Sequence, residues 1–241
     1  MNKYLNLFTY LNWIKRLIKV NSKKYKYSKS YMKNSSKNIN SLDELIEFHF
    51  KTYSDKNHIN FEMFKLLLKY FSEKSLNILE TGSVAHGSSS TILFIYYINL
   101  FGGSLNTVDT NPDIKNKYKH LINKNTQFHT NDSLKFIENL TSEEIEKIDL
   151  IYLDSFDLDL FDPKPSQEHG LNEFLLLNNI IKKGTLIAID DTPIDVRLFG
   201  EKFKNIHKFI PGKGRLVLDY IDKYGGYEII YHHYAVILKK I

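Results

Sequence analysis

Beginning at residue 76, short apolar segments alternate along the chain with segments whose apolar residues have helical spacing. The strand-like segments are residues 76–79, 105–108, 126–129, 148–153 and 185–189, and the helical ones are 91–101, 114–122, 133–140 and 167–181. Strands that alternate with helices form a parallel sheet with helices on both faces. Two last strand-like runs, 227–231 and 234–238, are too close for a crossover helix and must pair as an antiparallel hairpin. The sequence therefore predicts an α/β fold with a seven-stranded, mostly parallel sheet.

Acidic residues follow each of the five parallel strands. They are Glu80, Asp109, Asp132, Asp154 and the pair Asp190 and Asp191. The carboxyl ends of parallel strands lie on one rim of the sheet, which is where ligands bind in such folds. A single acid at this position caps the next helix about as often as it binds a ligand. Acids at five consecutive strand ends favour a site on the rim.

The loop after the first strand, residues 80–90, contains Gly82 and Gly87, which let the backbone approach a ligand closely. Its spacing differs from the G-x-G-x-x-G pattern of dinucleotide sites, and it lacks the lysine of a phosphate loop. Asp109 follows one strand–helix–strand unit later, where an acid accepts hydrogen bonds from both hydroxyls of a ribose. Together these features predict a nucleoside ligand without a pyrophosphate.

The composition excludes several classes of protein. The chain has no cysteine, which excludes a disulfide scaffold, a thiolate zinc site, an iron–sulfur cluster and a cysteine nucleophile. Its net charge of +5 is unevenly distributed, because ten of the 33 basic residues and none of the 28 acids lie in residues 1–40. A basic arm thus precedes an acidic body.

Residues 1–20 place apolar side chains at helical spacing, and residues 21–40 are rich in Lys, Ser and Asn. We predict a basic amphipathic helix followed by a polar linker. The arm has no apolar run long enough to span a membrane and no signal-peptide core. We expect residues 1–20 to contact an anionic membrane surface peripherally, or to pack as a lid or homodimer element. The expected location is cytoplasmic.

Residues 76–241 resemble a class I S-adenosylmethionine-dependent methyltransferase. The resemblance is carried by the order and spacing of residues 78–83 (ILETGS), 107–112 (TVDTNP), 131–133 (NDS), 149–154 (DLIYLD) and 184–191 (GTLIAIDD), and by the terminal hairpin. It implies one methyltransferase domain at residues 41–241, with a helical N-terminal cap at 41–75 and a Rossmann-like core at 76–241. It also implies S-adenosylmethionine as the cofactor.

The resemblance further implies which residues bind this cofactor. The first loop would hold the methionine part, Asp109 the ribose, and Asp132 and Ser133 the adenine. The implied cofactor-binding residues are Glu80, Gly82, Ser83, Gly87, Ser88, Asp109, Asp132 and Ser133.

Within that family, the chain is most similar to the catechol and caffeoyl-coenzyme-A O-methyltransferases. This similarity implies a divalent metal on Asp154, Asp190 and Asp191, and oxygen ligands favour Mg²⁺, Mn²⁺ or Ca²⁺. Such an ion would orient an acceptor hydroxyl and lower its pKa. The chain departs from the pattern because Asp191 replaces an asparagine and Asp157 replaces a catalytic lysine. A second interpretation stays open, in which the Asp190–Asp191 pair begins a turn before Pro193 and binds nothing.

His169 and Asp154 are the candidate catalytic residues. His169 lies in the first turn of the helix after the fourth strand, one turn before Glu173, and a histidine accepts protons near neutral pH. The alternative is a solvated histidine with no catalytic role. Gly212, Lys213, Gly214 and Arg215 resemble a small anion-binding turn, but the pattern is common and we assign no site to it.

The resemblance implies O-methylation of a hydroxyl on a small molecule or glycan. Two alternatives remain: an NAD-type Rossmann oxidoreductase, and a non-catalytic scaffold recruited through its basic arm. A nucleic-acid acceptor is disfavoured, because the acidic body lacks the broad basic face that nucleic acid requires.

Overall fold

The computed structural model describes residues 39–83, 87–119, 122–201 and 211–241. The predicted helix at 1–20, all but the end of the linker, and residues 84–86 of the first loop lie outside the described residues, so the role of residues 1–20 stays a prediction. The described chain begins with two helices, α1 (Leu42–Tyr53) and α2 (Phe61–Lys69). Ser41 caps α1 by accepting a hydrogen bond from the Glu44 amide, the capping that the sequence spacing favours.

Among the described residues, seven strands form one sheet. They are β1 (Leu76–Thr81), β2 (Gly103–Asp109), β3 (Thr126–Thr130), β4 (Leu150–Leu153), β5 (Leu186–Ile189), β6 (Tyr227–His232) and β7 (Val236–Lys240). Their order in the sheet is β3-β2-β1-β4-β5-β7-β6. The first five strands pair in parallel, and β7 pairs antiparallel with both β5 and β6. The predicted Rossmann-like sheet with its antiparallel hairpin strand is confirmed.

In the described part of the chain, six further helices connect or cover the strands. They are α3 (Ser90–Phe101), α4 (Ile114–Tyr118), α5 (Ser133–Glu138), α6 (Ser142–Glu146), α7 (Lys164–Asn178) and α8 (Arg215–Tyr224), with a 3₁₀ turn at Val196–Phe199. Neither α6 nor α8 is predicted by a helical pattern in the sequence. The first is too short for a periodic pattern and begins at a capping box formed by Thr141 and Glu144. The second follows the glycine-bearing turn at 212–215, which was interpreted only as a loop.

Alternate side chains along the central strands enter two different cores. In β4, Leu150 and Tyr152 pack into the core beneath α1, α2 and α3, whereas Ile151 and Leu153 pack beneath α5, α6, α7 and α8. This alternation follows from the two-residue period of a strand. Because β4 is buried on both faces, its sequence is continuously apolar. Helices therefore cover both faces of the sheet, as predicted.

The strand register brings the carboxyl ends of the parallel strands to one rim. Thr81 at the end of β1 lies opposite Val108 of β2 and Leu153 of β4, and Leu153 lies opposite Ile189 of β5. β2 and β3 lie on one side of β1, and β4 and the later strands lie on the other side. The strand order therefore reverses between β1 and β4, and the loops that follow these two strands diverge there. This switch point positions the candidate site.

Among the described residues, no helix combines the length and the apolar character needed to cross a membrane.

Candidate functional site

Two adjoining cavities open at the switch point. We call the smaller one, of about 340 Å³, the β2 cavity; its lining includes Gly82, Asp109, Asp132, Ser133, Phe156 and His169. We call the larger one, of about 660 Å³, the carboxylate cavity; its lining includes Asn60, Gly82, Asp154, Asp190, Asp191 and Lys213. Both volumes lie in the range of small-molecule sites. Because Gly82 and Asp109 line both cavities, the two form one continuous site.

The cavities meet where the loop after β1 touches the loop after β4. Gly82 has a φ of +79°, and a Cβ atom there would lie 2.4 Å from the carbonyl oxygen of Asp154 and 2.8 Å from the amide nitrogen of Ser155. Only glycine combines this conformation with so close an approach. The contact places the Asp154 backbone directly against the first loop.

Asp109 ends β2 with its carboxylate fixed by the backbone. One carboxylate oxygen accepts a hydrogen bond from the Ser83 amide at 3.0 Å, and the other accepts one from the Asn111 amide at 2.7 Å. Each oxygen has a second lone pair. Asp109 can therefore accept hydrogen bonds from two hydroxyls of a ligand without changing its own position.

Gly87 and Ser88 also line the carboxylate cavity, as does Ser83. Side chains at the end of α1 hold this part of the first loop. Ser54 Oγ donates to the Gly87 carbonyl at 2.8 Å, and His49 Nε2 lies 2.7 Å from the Ser88 carbonyl oxygen. The end of α1 thus shapes one wall of the site.

Glu80 is not part of the lining of either cavity, and its contact with a cofactor stays a prediction. Its carboxyl group is fully buried and accepts hydrogen bonds from the hydroxyls of Ser90 at 2.6 Å, Thr91 at 2.8 Å and Thr107 at 2.7 Å. Burial raises the pKa of Glu80 to about 7, against the effect of these hydrogen bonds. Glu80 joins β1 to β2 and α3 beneath the first loop.

His169 lies in the β2 cavity rather than among the carboxylates. Its Nε2 is 2.9 Å from Ser133 Oγ and 3.5 Å from a Glu173 carboxylate oxygen, and its ring lies 5.3 Å from that of Phe156. The hydrogen bond with Glu173 raises the pKa of His169, and burial opposes this shift. His169 therefore lies on the Asp132 side of the site, and its role as a catalytic base stays a prediction. Its neighbour Asp132 lines the same cavity and caps α5 through the Lys135 amide.

The structure brings together the three aspartates predicted to bind a metal, and each contacts protein donors. Asp190 accepts from Asn60 Nδ2 and from the Tyr152 hydroxyl, both at 2.7 Å. Asp191 accepts from the Tyr234 hydroxyl at 2.7 Å. Burial raises the pKa of Asp190, and the neighbouring Asp191 adds to the effect.

A lysine ammonium lies between the other two carboxylates. Lys213 Nζ is 2.6 Å from Asp154 Oδ1 and 3.4 Å from Asp191 Oδ2, and the lysine side chain is only 5% exposed. Burial lowers the pKa of Lys213, but Asp154, Asp190 and Asp191 together outweigh burial and hold it above its usual range. Lys213 is therefore a cation in this site.

The predicted metal site does not fit this arrangement. Over the part of the chain that the structure describes, no group of three or more His, Cys, Asp or Glu side chains is arranged to hold a metal ion. The Lys213 ammonium compensates part of the negative charge of the cluster and would repel a second cation placed beside it. The metal role of Asp154, Asp190 and Asp191 is thus not supported.

Solved methyltransferase structures share this architecture. MycE methyltransferase from the mycinamycin biosynthetic pathway, in complex with Mg, SAH and mycinamycin VI, superposes with a TM-score of 0.58 at 15% identity over 85% of this chain and 55% of MycE. An O-methyltransferase from Bacillus cereus, in complex with SAH, has a TM-score of 0.53 at 18% identity over 88% of this chain and 96% of its own. The chain has a Rossmann-like methyltransferase fold.

This chain spans about half the length of the MycE chains that it resembles. No family model matches its sequence, and no curated protein matches it significantly.

Sequence reasoning missed several residues that shape the site on this methyltransferase fold, namely Asn60, Tyr152, Lys213 and Tyr234. Lys213 alone had a signal, since glycines flank it. A Cβ atom on Gly214 would lie 2.7 Å from Thr192 Oγ1, and one on Gly212 would lie 2.9 Å from the Asp191 carbonyl oxygen. Asn60 and Asp190 are 130 residues apart in the chain, and no local pattern connects them.

Proposed function

We propose that the chain is an S-adenosylmethionine-dependent methyltransferase that methylates a hydroxyl of a small molecule or glycan. The observation that carries this proposal is the junction of two cavities at the switch point, with Asp109 held by backbone amides on one side and an aspartate cluster on the other. The SAH in the MycE and Bacillus cereus structures supports the choice of cofactor.

The β2 cavity suits the adenosine part of this cofactor. We assign the ribose hydroxyls to Asp109 and the adenine edge to Asp132 and Ser133. Phe156 is 51% exposed at a φ of +57°, a strained conformation of the kind found at ligand sites, and offers the adenine an aromatic face beside His169. The methionine part is assigned to the first loop, through Gly82, Ser83, Gly87 and Ser88.

When bound, the cofactor supplies an activated methyl group on a sulfonium. What remains for the protein is to position the acceptor hydroxyl and to accept its proton. Asp154 is our candidate proton acceptor, because its backbone touches Gly82 at the junction of the cavities and its carboxylate lines the acceptor side. His169 is separated from the acceptor side in this assignment and contacts the cofactor side instead.

The charge of the carboxylate cavity restricts the acceptor. Its lining contains five carboxyl groups and one lysine ammonium; the carboxyl groups are those of Asp109, Asp154, Asp157, Asp190 and Asp191. A surplus of negative charge disfavours phosphate or carboxylate groups near the reacting atom. We therefore propose a neutral or cationic acceptor, and the same charge disfavours nucleic acid.

The ribose assignment is tested by Asp109→Asn. The wild-type protein is expected to bind S-adenosylmethionine and to melt at a higher temperature in its presence. The variant keeps the shape of the side chain but loses charge-assisted hydrogen bonds worth about 1.5–3 kcal/mol, which weakens binding by about 10–100-fold. Isothermal titration calorimetry gives both dissociation constants.

The matched control is Asp113→Asn, which removes an exposed carboxylate from the same loop and should leave binding unchanged. NAD⁺ is titrated in parallel. Binding of NAD⁺ in preference to S-adenosylmethionine would support the oxidoreductase alternative. A wild-type protein that binds neither ligand at millimolar concentration would contradict the proposed function.

A second prediction concerns His169. If it contacts the cofactor side, His169→Ala should weaken S-adenosylmethionine binding by about tenfold, because the contacts of the imidazole ring are lost. His233→Ala, which removes an exposed histidine from the terminal hairpin, is the control. An unchanged affinity for the cofactor would remove His169 from the adenosine site and return it to the candidates for the general base.

A further inference from the structure

We infer that the ammonium of Lys213 takes the place among Asp154, Asp190 and Asp191 that the sequence assigned to a divalent cation, so that this cluster works with a built-in cation and without a metal. This inference deepens the proposed function, since the cluster lines the proposed acceptor cavity, and it rests on that function for its catalytic meaning. In this inference, Lys213 is a positioning residue that holds Asp154 and Asp191 in place.

Three oxygen atoms of the cluster lie close to the ammonium of Lys213. Its Nζ lies 2.6 Å from Asp154 Oδ1, 3.3 Å from the Asp154 carbonyl oxygen and 3.4 Å from Asp191 Oδ2. A lysine ammonium has three N–H donors and no acceptor. The two side chains of the shortest contact are 5% and 9% exposed, so little water competes with it. The ammonium is thus enclosed by the cluster.

The backbone around Lys213 fixes this position. The Lys213 amide donates to the Asp191 carbonyl at 3.0 Å, and the Gly214 amide donates to Thr192 Oγ1 at 2.9 Å. From the other side, Gly170 of α7 approaches so closely that a Cβ atom there would lie 2.7 Å from the Lys213 carbonyl oxygen. The loop after β5 and helix α7 hold the lysine backbone, so the side chain enters the cluster as part of the fold rather than as a mobile surface lysine.

Both oxygens of the Asp190 carboxylate are also engaged. Asp190 Oδ1 accepts from Asn60 Nδ2 at 2.7 Å and from the Asp191 amide at 2.8 Å, and its Oδ2 accepts from the Tyr152 hydroxyl at 2.7 Å. A divalent ion needs several free oxygen lone pairs that converge on one point. It would also have to lie next to a buried positive charge. The Asp190 carboxylate is therefore a poor metal ligand, and the cluster lacks the electrostatic environment of a metal site.

Mn²⁺ binding tests this inference directly on the full chain. Wild-type protein and Lys213→Met, which removes the charge but retains much of the side-chain volume, are titrated with Mn²⁺ alone and followed by the electron paramagnetic resonance of the free ion. We expect no Mn²⁺ bound at the cluster of the wild-type protein. The variant should bind one Mn²⁺ at least about tenfold more tightly, because three carboxylates then lack a compensating cation.

Two further variants make the result specific. Lys182→Met removes a lysine that pairs with Asp149 at 2.8 Å outside the cluster, and it should gain no Mn²⁺ site. Adding Asp190→Asn to Lys213→Met should abolish the site that the single variant gains. A folded Lys213→Met protein that binds no more Mn²⁺ than the wild type would overturn the inference.

The wild-type protein decides the question even if Lys213→Met does not fold. Wild-type protein that binds one Mn²⁺, and loses it in Asp190→Asn, would show that the cluster is a metal site and that the inference is wrong. S-adenosylmethionine binding is measured on the same samples without metal. Its absence would count against the proposed function, whereas the Mn²⁺ result would still decide the role of Lys213.

Discussion

Replacing Gly82 with alanine is expected to destabilise the protein by about 3 kcal/mol, which lowers the melting temperature of a chain of this size by about 6–12 °C. Two effects combine at this position. The φ of +79° strains any residue with a Cβ atom, and that atom would lie 2.4 Å from the Asp154 carbonyl oxygen. Because the obstructing atoms belong to the backbone, relief requires the loops after β1 and β4 to separate. Thermal unfolding followed by circular dichroism measures the loss.

Gly184→Ala separates the steric contact from the conformational strain. Gly184 has a similar φ of +89°, but a Cβ atom there would have no neighbour within 4 Å. This control substitution should destabilise the protein by about 1 kcal/mol, which corresponds to the strain of the left-handed conformation alone. Equal losses in the two variants would mean that the contact between Gly82 and Asp154 is looser than its geometry indicates. We also expect Gly82→Ala, and not Gly184→Ala, to lose affinity for S-adenosylmethionine.

The second large effect is a dependence of stability on pH that arises from Glu80. Burial raises its pKa from an ordinary value of 4.5 to about 7. The folded protein therefore keeps a proton that the unfolded chain releases. The stabilisation that results from this proton is fully present below pH 4.5 and is lost as the pH rises through 7. The shift corresponds to about 3 kcal/mol over that window.

Glu80→Gln tests this effect because glutamine does not titrate, and the surrounding hydroxyls can rotate to accept from its amide. Urea unfolding at pH 5 and pH 8 gives the free energies of unfolding. From pH 5 to pH 8, the free energy of unfolding of the variant should rise by about 2–3 kcal/mol relative to that of the wild type. Glu47→Gln, on the exposed face of α1, should show the same pH dependence of stability as the wild type. A difference between Glu80→Gln and wild type that does not change with pH would show that Glu80 ionises equally in both states.

The sequence was most informative about the strands. All seven were predicted, because an apolar run between turn residues has few other interpretations in an alternating α/β chain. The boundaries were less accurate. The helix after β4 was predicted at 167–181, whereas α7 spans Lys164–Asn178. A helix boundary depends on capping contacts, and Pro165 near the start of α7 lies within the helix rather than before it.

The role of each acidic residue at the site was harder to predict than its position on the rim of the sheet. Asp109, Asp154, Asp190 and Asp191 line the carboxylate cavity, as the strand-end argument requires. Glu80 does not, since it lies one residue before the end of β1 and its carboxyl group is enclosed by three hydroxyls. A sequence pattern assigns a residue to a strand end, but one residue of displacement along a strand reverses the face to which its side chain points.

The sequence by itself determined the sheet and the rim on which its acids meet, because hydrophobic periodicity is local and parallel strands must end on the same edge. Only the tertiary structure decided what those acids do. Lys213 reaches Asp154 across 59 residues of sequence, and His169 reaches Ser133 across 36. Such contacts are set by how loops pack against one another, which no local pattern encodes. The strand ends therefore predicted a cluster of negative charge, and the packing of the loop before α8 supplied the cation that compensates part of it.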